Sequence, residues 1–282
     1  MRLVYLGTPA MAVPPLEALV RAGHDIALVV SAADKRRGRG SALLPSPVKA
    51  AALDLGLDVT DVVDDVLRIA PPAELGVVVA FGKLIRPHVL AELRMVNLHF
   101  SLLPRWRGAA PVERAILAGD DRTGVCVMDV EKGLDTGGVH ARAEVPIGVD
   151  TTADELRVQL VELGTDLLLA SLDAGIGVAE PQSGETTYAH KIDAGELHID
   201  WSNPPVEVHR LVRVGGAWTT HGGRRLKVWR STLDPSTTGA VAIRCGDASL
   251  GLLEVQPEGK GRMAASAWAN GAHVAAGSAL GT

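Results

Sequence analysis

The sequence predicts an α/β fold with a mostly parallel sheet, followed by a small β domain. Over the first two-thirds of the 282 residues, short apolar runs alternate with helical patterns, which is typical of βαβ units. The later part has short apolar runs broken by Gly and Pro, a pattern of a small β-barrel or sandwich. We therefore expect one domain over residues 1–180, a linker over 181–204 and a second domain over 205–282.

The individual elements follow from these patterns. The predicted strands of the first domain are MRLVYLG, DIALVVS, GVVVAFG, MVNLHF and TGVCVMDV, and the predicted helices lie within TPAMAVPPLEALVRAG, SPVKAAALDLG, PHVLAEL and APVERAILAG. A long helix is predicted over 151–175, where leucines at 156, 160, 163 and 167 repeat at helical spacing. The runs RLKVW, GAVAIRCG and LGLLEVQP are the predicted strands of the second domain. A ligand site is expected beyond the carboxyl ends of the parallel strands.

Composition and charge exclude several classes of protein. The net charge of −5 argues against a general nucleic-acid binder. Residues 205–282 carry nine Lys and Arg against five Asp and Glu, a net of +4 that leaves −9 for the rest. This local surplus fits either a polyanion contact or a solvated surface. Cys126 and Cys245 lie far apart and no metal-ligand spacing occurs, so neither a disulfide framework nor a metal site is expected.

The N-terminus reads directly as a strand pattern without a leader, and no apolar stretch reaches the ~18 residues of a membrane span. We expect a cytoplasmic protein.

Two polar residues interrupt the apolar run VNLHF. Asn97 and His99 stand two apart, so their side chains leave a strand on the same face. An amide can stabilise a developing oxyanion, an imidazole can move a proton, and Asp135 of GLDTGG could orient the imidazole if it folds close. Together these groups suit acyl transfer to an amine. Taken singly, a structural Asn, a core His and a helix-capping Asp remain open alternatives.

A flexible basic segment covers Asp34 to Lys49. It carries Lys35, Arg36, Arg37, Arg39 and Lys49 against one acidic residue, and it follows a predicted strand. Such loops can dock on phosphates and become ordered on contact, although a solubilising surface loop has the same composition.

Longer motifs resemble a known family. The runs NLHFSLLPRWRGAAPVERAILAGD and TGVCVMDVEKGLDTGG resemble the signature of the folate-dependent formyltransferases. The pieces GTPAMAVPPLEAL, GRGSALLPSPVK, TYAHKI, HIDWS and EVQPEGKGRM resemble the branch that formylates initiator methionyl-tRNA, and the similarity spans nearly the whole chain. One departure is Gly138, because the family usually reads DTGD where this chain has DTGG.

The resemblance implies transfer of a formyl group from 10-formyltetrahydrofolate to the methionine amine of initiator tRNA. It also implies a Rossmann-like first domain, a C-terminal OB-like barrel, and two sets of site residues. The implied catalytic residues are Asn97, His99 and Asp135, and the implied folate-binding residues are Ser101, Leu102, Leu103 and Pro104.

For tRNA, the resemblance matches Arg39 to the position that senses the acceptor end, and charge adds further candidates. The predicted tRNA-binding residues are Arg36, Arg37, Arg39, Arg210, Arg213, Arg224, Arg225 and Lys227. The expected partners are initiator methionyl-tRNA and the folate, with no metal, no membrane and no second subunit.

Two alternatives remain. One is another 10-formyltetrahydrofolate user that acts on a small amine, and the other is a non-catalytic RNA-binding relative. Residues 205–282 argue against an enzyme for a purine precursor, whose chain typically lacks the barrel. The intact set of Asn97, His99 and Asp135 argues against a non-catalytic relative.

The basic segment yields the first testable prediction. Replacing Arg36, Arg37 and Arg39 with Ala should weaken tRNA use and flatten its salt dependence, because fewer counterions are released on binding. Folate affinity should hardly change. Formylation kinetics across a salt series check this. Kinetics with tRNA equal to those of the wild type would show that the segment is a solubilising surface loop.

Overall fold

The computed structural model describes residues 1–36 and 43–281, and these form two compact units. The first unit comprises Met1–Pro111, Arg122–Val145 and Arg157–Ala189. The second comprises Val112–Asp121, Pro146–Leu156 and the residues from His190 onward. Each unit is therefore assembled from segments that are separated in the chain. The division into residues 1–180, 181–204 and 205–282 stays a prediction.

The secondary structure begins with strands β1 (Arg2–Gly7), β2 (Asp25–Val30), β3 (Lys35–Arg36), β4 (Leu43–Leu44), β5 (Val59–Thr60), β6 (Leu75–Val79), β7 (Met95–His99), β8 (Arg107–Gly108), β9 (Arg122–Asp129), β10 (Val139–Pro146) and β11 (Tyr188–Ala189). Strands β12 (Trp218–His221), β13 (Arg224–Thr232), β14 (Val241–Cys245), β15 (Ala248–Pro257) and β16 (Met263–Ala264) follow. The helices are α1 (Val13–Arg21), α2 (Pro47–Asp54), α3 (Pro87–Glu92), α4 (Pro111–Ala118), α5 (Ala153–Asp173), α6 (Pro205–Val214) and α7 (Ala265–Ala272), with 3-10 turns at Ala10–Ala12 and Val63–Leu67.

A seven-stranded sheet organises the first unit. Its order is β10-β9-β7-β6-β1-β2-β5, with parallel pairing from β7 through β6, β1 and β2 to β5 and antiparallel pairing of β9 with β7. The central strand β6 is buried along its whole length, as expected for a strand covered on both faces. The predicted fold class of this part, a Rossmann-like mostly parallel sheet, is confirmed.

Strand β10 lies at the edge of this sheet and was not predicted. Its residues alternate between more and less exposed positions, and its sequence VHARAEVP mixes Ala, Arg and Glu with isolated valines. An edge strand needs no continuous apolar run, so the pattern that identified the central strands was absent here.

The second unit contains a five-stranded antiparallel sheet. Its order is β12-β13-β15-β14, with β16 paired to β15, and its core includes Leu226, Val228 and Ile243. The C-terminal segment reaches both edge strands, because the Arg244 amide donates to Ser278 and the Gly281 amide donates to Thr220. The predicted small β domain is therefore confirmed, and the bridging of its two edges favours a barrel over a sandwich.

Helix α6 precedes the strands of this sheet, at the position where the barrel was predicted to begin. Pro205 occupies its first turn, and Val208 and Val212 are buried at helical spacing. Two polar residues on the same helix, His209 and Arg213, are also buried.

Arg213 is a predicted tRNA-binding residue, yet its side chain is used inside the second unit. The residue is 8% exposed, and its guanidinium donates to the carbonyl oxygens of Thr151 at 2.8 Å and Gly148 at 2.9 Å. These bonds satisfy backbone acceptors of the segment before α5, which would otherwise lose hydrogen bonds on burial. The geometry indicates a structural role for Arg213 rather than contact with tRNA.

His209 gives the second unit a pH-dependent stability. Its ring bonds to the carbonyl oxygen of Val149 and to the Ser231 hydroxyl, both at 2.9 Å. Burial lowers the pKa of His209 below its usual value of 6.5, despite the opposing hydrogen bond to Val149. Between the lowered pKa and 6.5, the unfolded chain binds more protons than the native chain, so stability decreases as the pH falls through this range.

We predict that His209→Gln will flatten this acid dependence of stability while keeping a donor for the Val149 carbonyl. Urea unfolding between pH 5 and 8 checks this, followed by tryptophan fluorescence, since four of the five tryptophans, at 201, 218, 229 and 268, lie in the second unit. The exposed His273, changed to Asn, is the control and should retain the wild-type dependence. Equal pH profiles for His209→Gln and wild type would contradict the prediction.

Candidate active site

Asn97 and His99 lie on β7, an inner strand of the seven-stranded sheet between β9 and β6. The intervening Leu98 packs towards helix α5, where a Cβ on Gly164 would lie 3.1 Å from it. The two polar side chains therefore leave the opposite face of the strand, as the alternation predicts. Asn97 is half-buried, and within the described residues its amide has no hydrogen-bond partner from the protein. This amide is available to a bound molecule.

The turn after β7 folds back onto His99. The ring atom Nε2 lies 3.0 Å from the carbonyl oxygen of Trp106. Because a carbonyl oxygen can only accept a hydrogen bond, Nε2 carries a proton, and Nδ1 is the second nitrogen of the ring. Trp106 itself has a φ of 64°, and its amide donates to the Thr187 hydroxyl at 2.9 Å. The ring position thus depends on a strained turn held by a distant residue.

Asp135 reaches His99 from the loop between β9 and β10. Its Oδ2 atom lies 3.7 Å from Nδ1 of His99 and accepts a 2.8 Å hydrogen bond from the Gly108 amide. The loop leaves β9 where the Val130 amide donates to Met95, and it returns where the Asp129 amide donates to Gly138. Between these two points the chain makes an excursion, and Asp135 is the residue that comes beside the imidazole.

Glycines shape this excursion. A Cβ on Gly137 would lie 1.9 Å from the Asp129 carbonyl oxygen, and one on Gly138 would lie 2.7 Å from the Ala179 side chain. Position 138 is where the chain departs from the DTGD pattern. The close packing of residues 179 and 180 leaves no room there for an aspartate side chain without movement of the neighbouring backbone.

The predicted folate segment, Ser101 to Pro104, divides into inward-facing and outward-facing residues. The Ser101 hydroxyl donates to the Arg105 carbonyl oxygen at 2.6 Å, and Leu103 is buried in a small core with Cys126. Leu102 and Pro104 are only half-buried. Apolar side-chain contact with a ligand is therefore open to Leu102 and Pro104, whereas Ser101 and Leu103 shape the turn.

A cavity of about 600 Å³ lies beside the loop between β9 and β10, and it is lined in part by Arg94, Asp129, Glu131 and Gln182. Two of its charges, Arg94 and Asp129, are paired with each other at 3.1 Å. Burial raises the pKa of Asp129, but hydrogen bonds from Arg94 and His140 outweigh this and hold it below its usual range. The guanidinium of Arg94 also binds the carbonyl oxygens of Ile176 and Gly177. This cluster ties the chain after α5 to the sheet.

Of the basic segment, the structure describes only its two ends. Arg36 is exposed on β3, which pairs antiparallel with β4. Arg37 and Arg39 lie outside the described residues. Lys49 forms an ion pair with Asp34 at 2.7 Å, which joins the two ends of the segment.

The basic residues of the second unit combine with its tryptophans. The Arg225 guanidinium lies 3.9 Å above the Trp218 ring, and Lys227 and Arg262 lie 5.5 and 3.5 Å from the centre of the Trp229 ring. Arg224 is exposed at the start of β13. Sequence reasoning missed Arg262, because no local pattern shows that it folds back onto the ring of Trp229.

Arg210 is half-buried, and its guanidinium packs on Gly119, where a Cβ would come within 2.1 Å of it. It is therefore less accessible to a polyanion than Arg224 or Arg225.

Residues 1–36 and 43–281 contain no group of three His, Cys, Asp or Glu side chains suited to hold a metal ion. Among the helices of these same residues, none combines the length and apolar character needed to cross a membrane.

Sequence reasoning missed two residues of the candidate site, Gln182 and Thr187. Both lie in or near the predicted linker and bond to the loops around His99 and Asp135. No local sequence signal marks them, because their partners lie between 45 and 81 positions away in the chain.

Comparison with known proteins agrees with this architecture. The formyl transferase family matches residues 1–172, and the C-terminal domain of formyl transferases matches residues 191–273. A methionyl-tRNA formyltransferase of Jannaschia sp. (strain CCS1) is 42% identical over 302 residues, covering 99% of this chain and 100% of its own. One from Roseobacter denitrificans is 44% identical over 297 residues, with 97% of both chains covered.

Two solved structures share the fold. Methionyl-tRNA formyltransferase from Clostridium thermocellum aligns with a TM-score of 0.63 at 15% identity, covering 93% of this chain and 100% of that one. An N-formyltransferase from Helicobacter canadensis, in complex with folinic acid and dTDP-3-aminofucose, aligns with a TM-score of 0.69 at 18% identity, covering 90% and 98%. From the family match and the close relatives, the chain belongs to the formyl transferase family, within its methionyl-tRNA formyltransferase branch.

Proposed function

We propose that the protein transfers a formyl group from 10-formyltetrahydrofolate to the amino group of methionine on initiator tRNA, giving N-formylmethionyl-tRNA for translation initiation. The observation that carries this proposal is the convergence of Asn97, His99 and Asp135 at the end of β7. Relatives at 42 to 44% identity over nearly the whole chain are methionyl-tRNA formyltransferases, which supports this acceptor. The folinic acid in the Helicobacter canadensis complex supports a folate donor.

Each of the three residues has a distinct part in this proposal. The amine nitrogen attacks the formyl carbon, a new N–C bond forms, and the bond from that carbon to N10 of the folate breaks. The Asn97 amide stabilises the negative charge that develops on the formyl oxygen. His99 takes a proton from the attacking amine and passes one to the leaving nitrogen. Asp135 faces Nδ1 of His99 at 3.7 Å and stabilises the protonated ring.

The folate donor supplies the formyl group, and the turn after β7 has apolar side chains that can contact this donor. Leu102 and Pro104 present apolar side chains that can contact a flat ring, and the backbone around Ser101 and Leu103 is held by internal packing. This division of labour fits the predicted folate segment, Ser101 to Pro104. The residues of this turn therefore fit a folate, and the proposed reaction uses no metal ion.

For the tRNA, we propose contacts by Arg36, Arg37 and Arg39 of the basic segment and by Arg210, Arg224, Arg225 and Lys227 of the second unit. Cations already cover faces of Trp218 and Trp229, so phosphate contacts should outweigh base stacking on this sheet.

Charged initiator tRNA is used in the cytoplasm, and we propose that the protein acts there as a monomer.

The proposal predicts formylation of charged initiator tRNA at a rate well above that for the same tRNA with its terminal mismatch repaired. His99→Ala and Asn97→Ala should lower kcat by about 10²–10³, the usual effect of losing one oxyanion donor or proton shuttle. Asp135→Asn should be similarly severe, because a neutral amide no longer stabilises a charged ring. Acid-gel separation of formylated and unformylated methionyl-tRNA measures these rates.

The control for these variants is Lys132→Ala, an exposed residue of the same loop, which should keep wild-type kinetics. Near wild-type turnover in His99→Ala or Asn97→Ala would refute the catalytic assignment. Transfer to a small amine but not to tRNA would instead favour another formyltransferase, and folate-independent tRNA binding without turnover would favour a non-catalytic relative.

The second unit yields a separate prediction on tRNA affinity. Neutralising Arg224, Arg225 and Lys227 to Gln should raise the KM for tRNA and reduce the slope of its salt dependence by about one for each phosphate that the protein no longer neutralises. The KM for the folate should stay constant. Arg244→Gln, an exposed cation on β14 of the same sheet, is the matched control. An unchanged salt slope in the triple variant would show that these cations do not meet tRNA phosphates.

A further inference from the structure

Gln182 uses both ends of its side-chain amide to hold the loop of Asp135. Its Nε2 donates to the carbonyl oxygens of Asp135 at 2.8 Å and Gly137 at 2.7 Å. Its Oε1 accepts from Nε and Nη2 of Arg107 at 3.1 and 2.6 Å. Carbonyl oxygens only accept and a guanidinium only donates, so these partners allow just one orientation of the amide. Both donor hydrogens and both lone pairs of Gln182 are therefore occupied.

These bonds complete a closed circuit around Asp135. Arg107 holds Gln182, Gln182 holds the Asp135 carbonyl oxygen, and the amide of Gly108, next to Arg107, holds the Asp135 carboxylate at 2.8 Å. Asp135 has a φ of 50°, in the left-handed region that non-glycine residues rarely adopt. Such a conformation persists only where its surroundings determine it. The circuit fixes the backbone and the carboxylate of Asp135 at the same time.

We propose that Gln182 is a positioning residue for catalysis, which holds the Asp135 carboxylate against Nδ1 of His99. This inference rests on the proposed function, because the position of Asp135 matters to turnover only if it orients His99. Gln182 itself acts through Asp135 and Gly137 and has no direct part in the formyl transfer.

The chain around Gln182 has anchors that do not need its side chain. Glu180 and Val139 exchange two backbone hydrogen bonds at 2.8 and 2.9 Å, and the Thr187 hydroxyl accepts from the Trp106 amide at 2.9 Å. Gln182 is also only half-buried. Replacing its amide should therefore release Asp135 without detaching residues 176–189 from the first unit, so loss of turnover and loss of folding are separable.

Two substitutions test the role. Gln182→Glu keeps the acceptor for Arg107 but turns a carboxylate towards two carbonyl oxygens, and Gln182→Met keeps the length of the side chain without any hydrogen bond. Both should lower kcat by about 10- to 100-fold, the scale expected for a misplacement of catalytic groups by about 1 Å. The KM values for 10-formyltetrahydrofolate and for tRNA should stay within about twofold, because the substitutions do not touch the groups that bind either substrate. Melting temperatures should remain close to that of the wild type.

A double-mutant cycle with Asp135→Asn distinguishes positioning from general structural support. If Gln182 acts through Asp135, either substitution should change the residual kcat of Asp135→Asn less than about twofold. Gln159→Glu makes the same chemical change at an exposed site on α5 and should behave as wild type in both backgrounds. An equal loss with and without Asp135, or a joint rise in KM and fall in melting temperature, would overturn the proposal.

The wild-type chain is assayed in parallel, which separates this inference from the proposed function. A wild type that does not formylate initiator methionyl-tRNA would overturn both. An active wild type with fully active Gln182→Glu and Gln182→Met would overturn the role of Gln182 alone.

Discussion

The hydrogen bond from the Gly108 amide to the Asp135 carboxylate is the interaction on which the candidate site depends. It joins two loops that are 27 positions apart and sets a carboxylate 3.7 Å from the imidazole of His99. Without it, the sheet would still present Asn97 and His99 on one face, but the ring would lack an oriented partner. The backbone of Asp135 adopts a left-handed conformation where it makes this bond, and such a conformation persists only where the surrounding residues hold it.

The need to hold Asp135 in place explains why several segments of the first unit contact the loop between β9 and β10. β9 runs antiparallel to β7, so its end lies beside Met95, at the start of β7 rather than at His99. Spanning β7 requires about 13 Å at ~3.3 Å per residue, and the loop makes this excursion and returns to Asp129. The chain after α5 then closes over it, through Arg94 at one end and Thr187 at the other.

The second unit presents cations on the surface of its antiparallel sheet. Its antiparallel strands carry Arg225 and Lys227 on the face opposite the buried Leu226 and Val228, and the tryptophan rings beneath these cations limit their freedom. The same charges inside the unit would need partners, as Arg213 shows by binding two backbone carbonyl oxygens. Net charge alone does not distinguish these two uses of arginine.

The sequence by itself determined the fold class, the central strands and the shared face of Asn97 and His99, whereas only the tertiary structure placed Asp135 beside His99. Apolar periodicity and two-residue spacing are local properties, so β1, β6, β7 and the pairing of Asn97 with His99 on one face follow from neighbouring residues. It did not reveal β10, α6, the burial of Arg213 or the role of the predicted linker. The tertiary structure alone decided these, and it alone brought Gln182 to Asp135. Such contacts join residues dozens of positions apart, and their geometry depends on how the whole chain packs rather than on any local pattern.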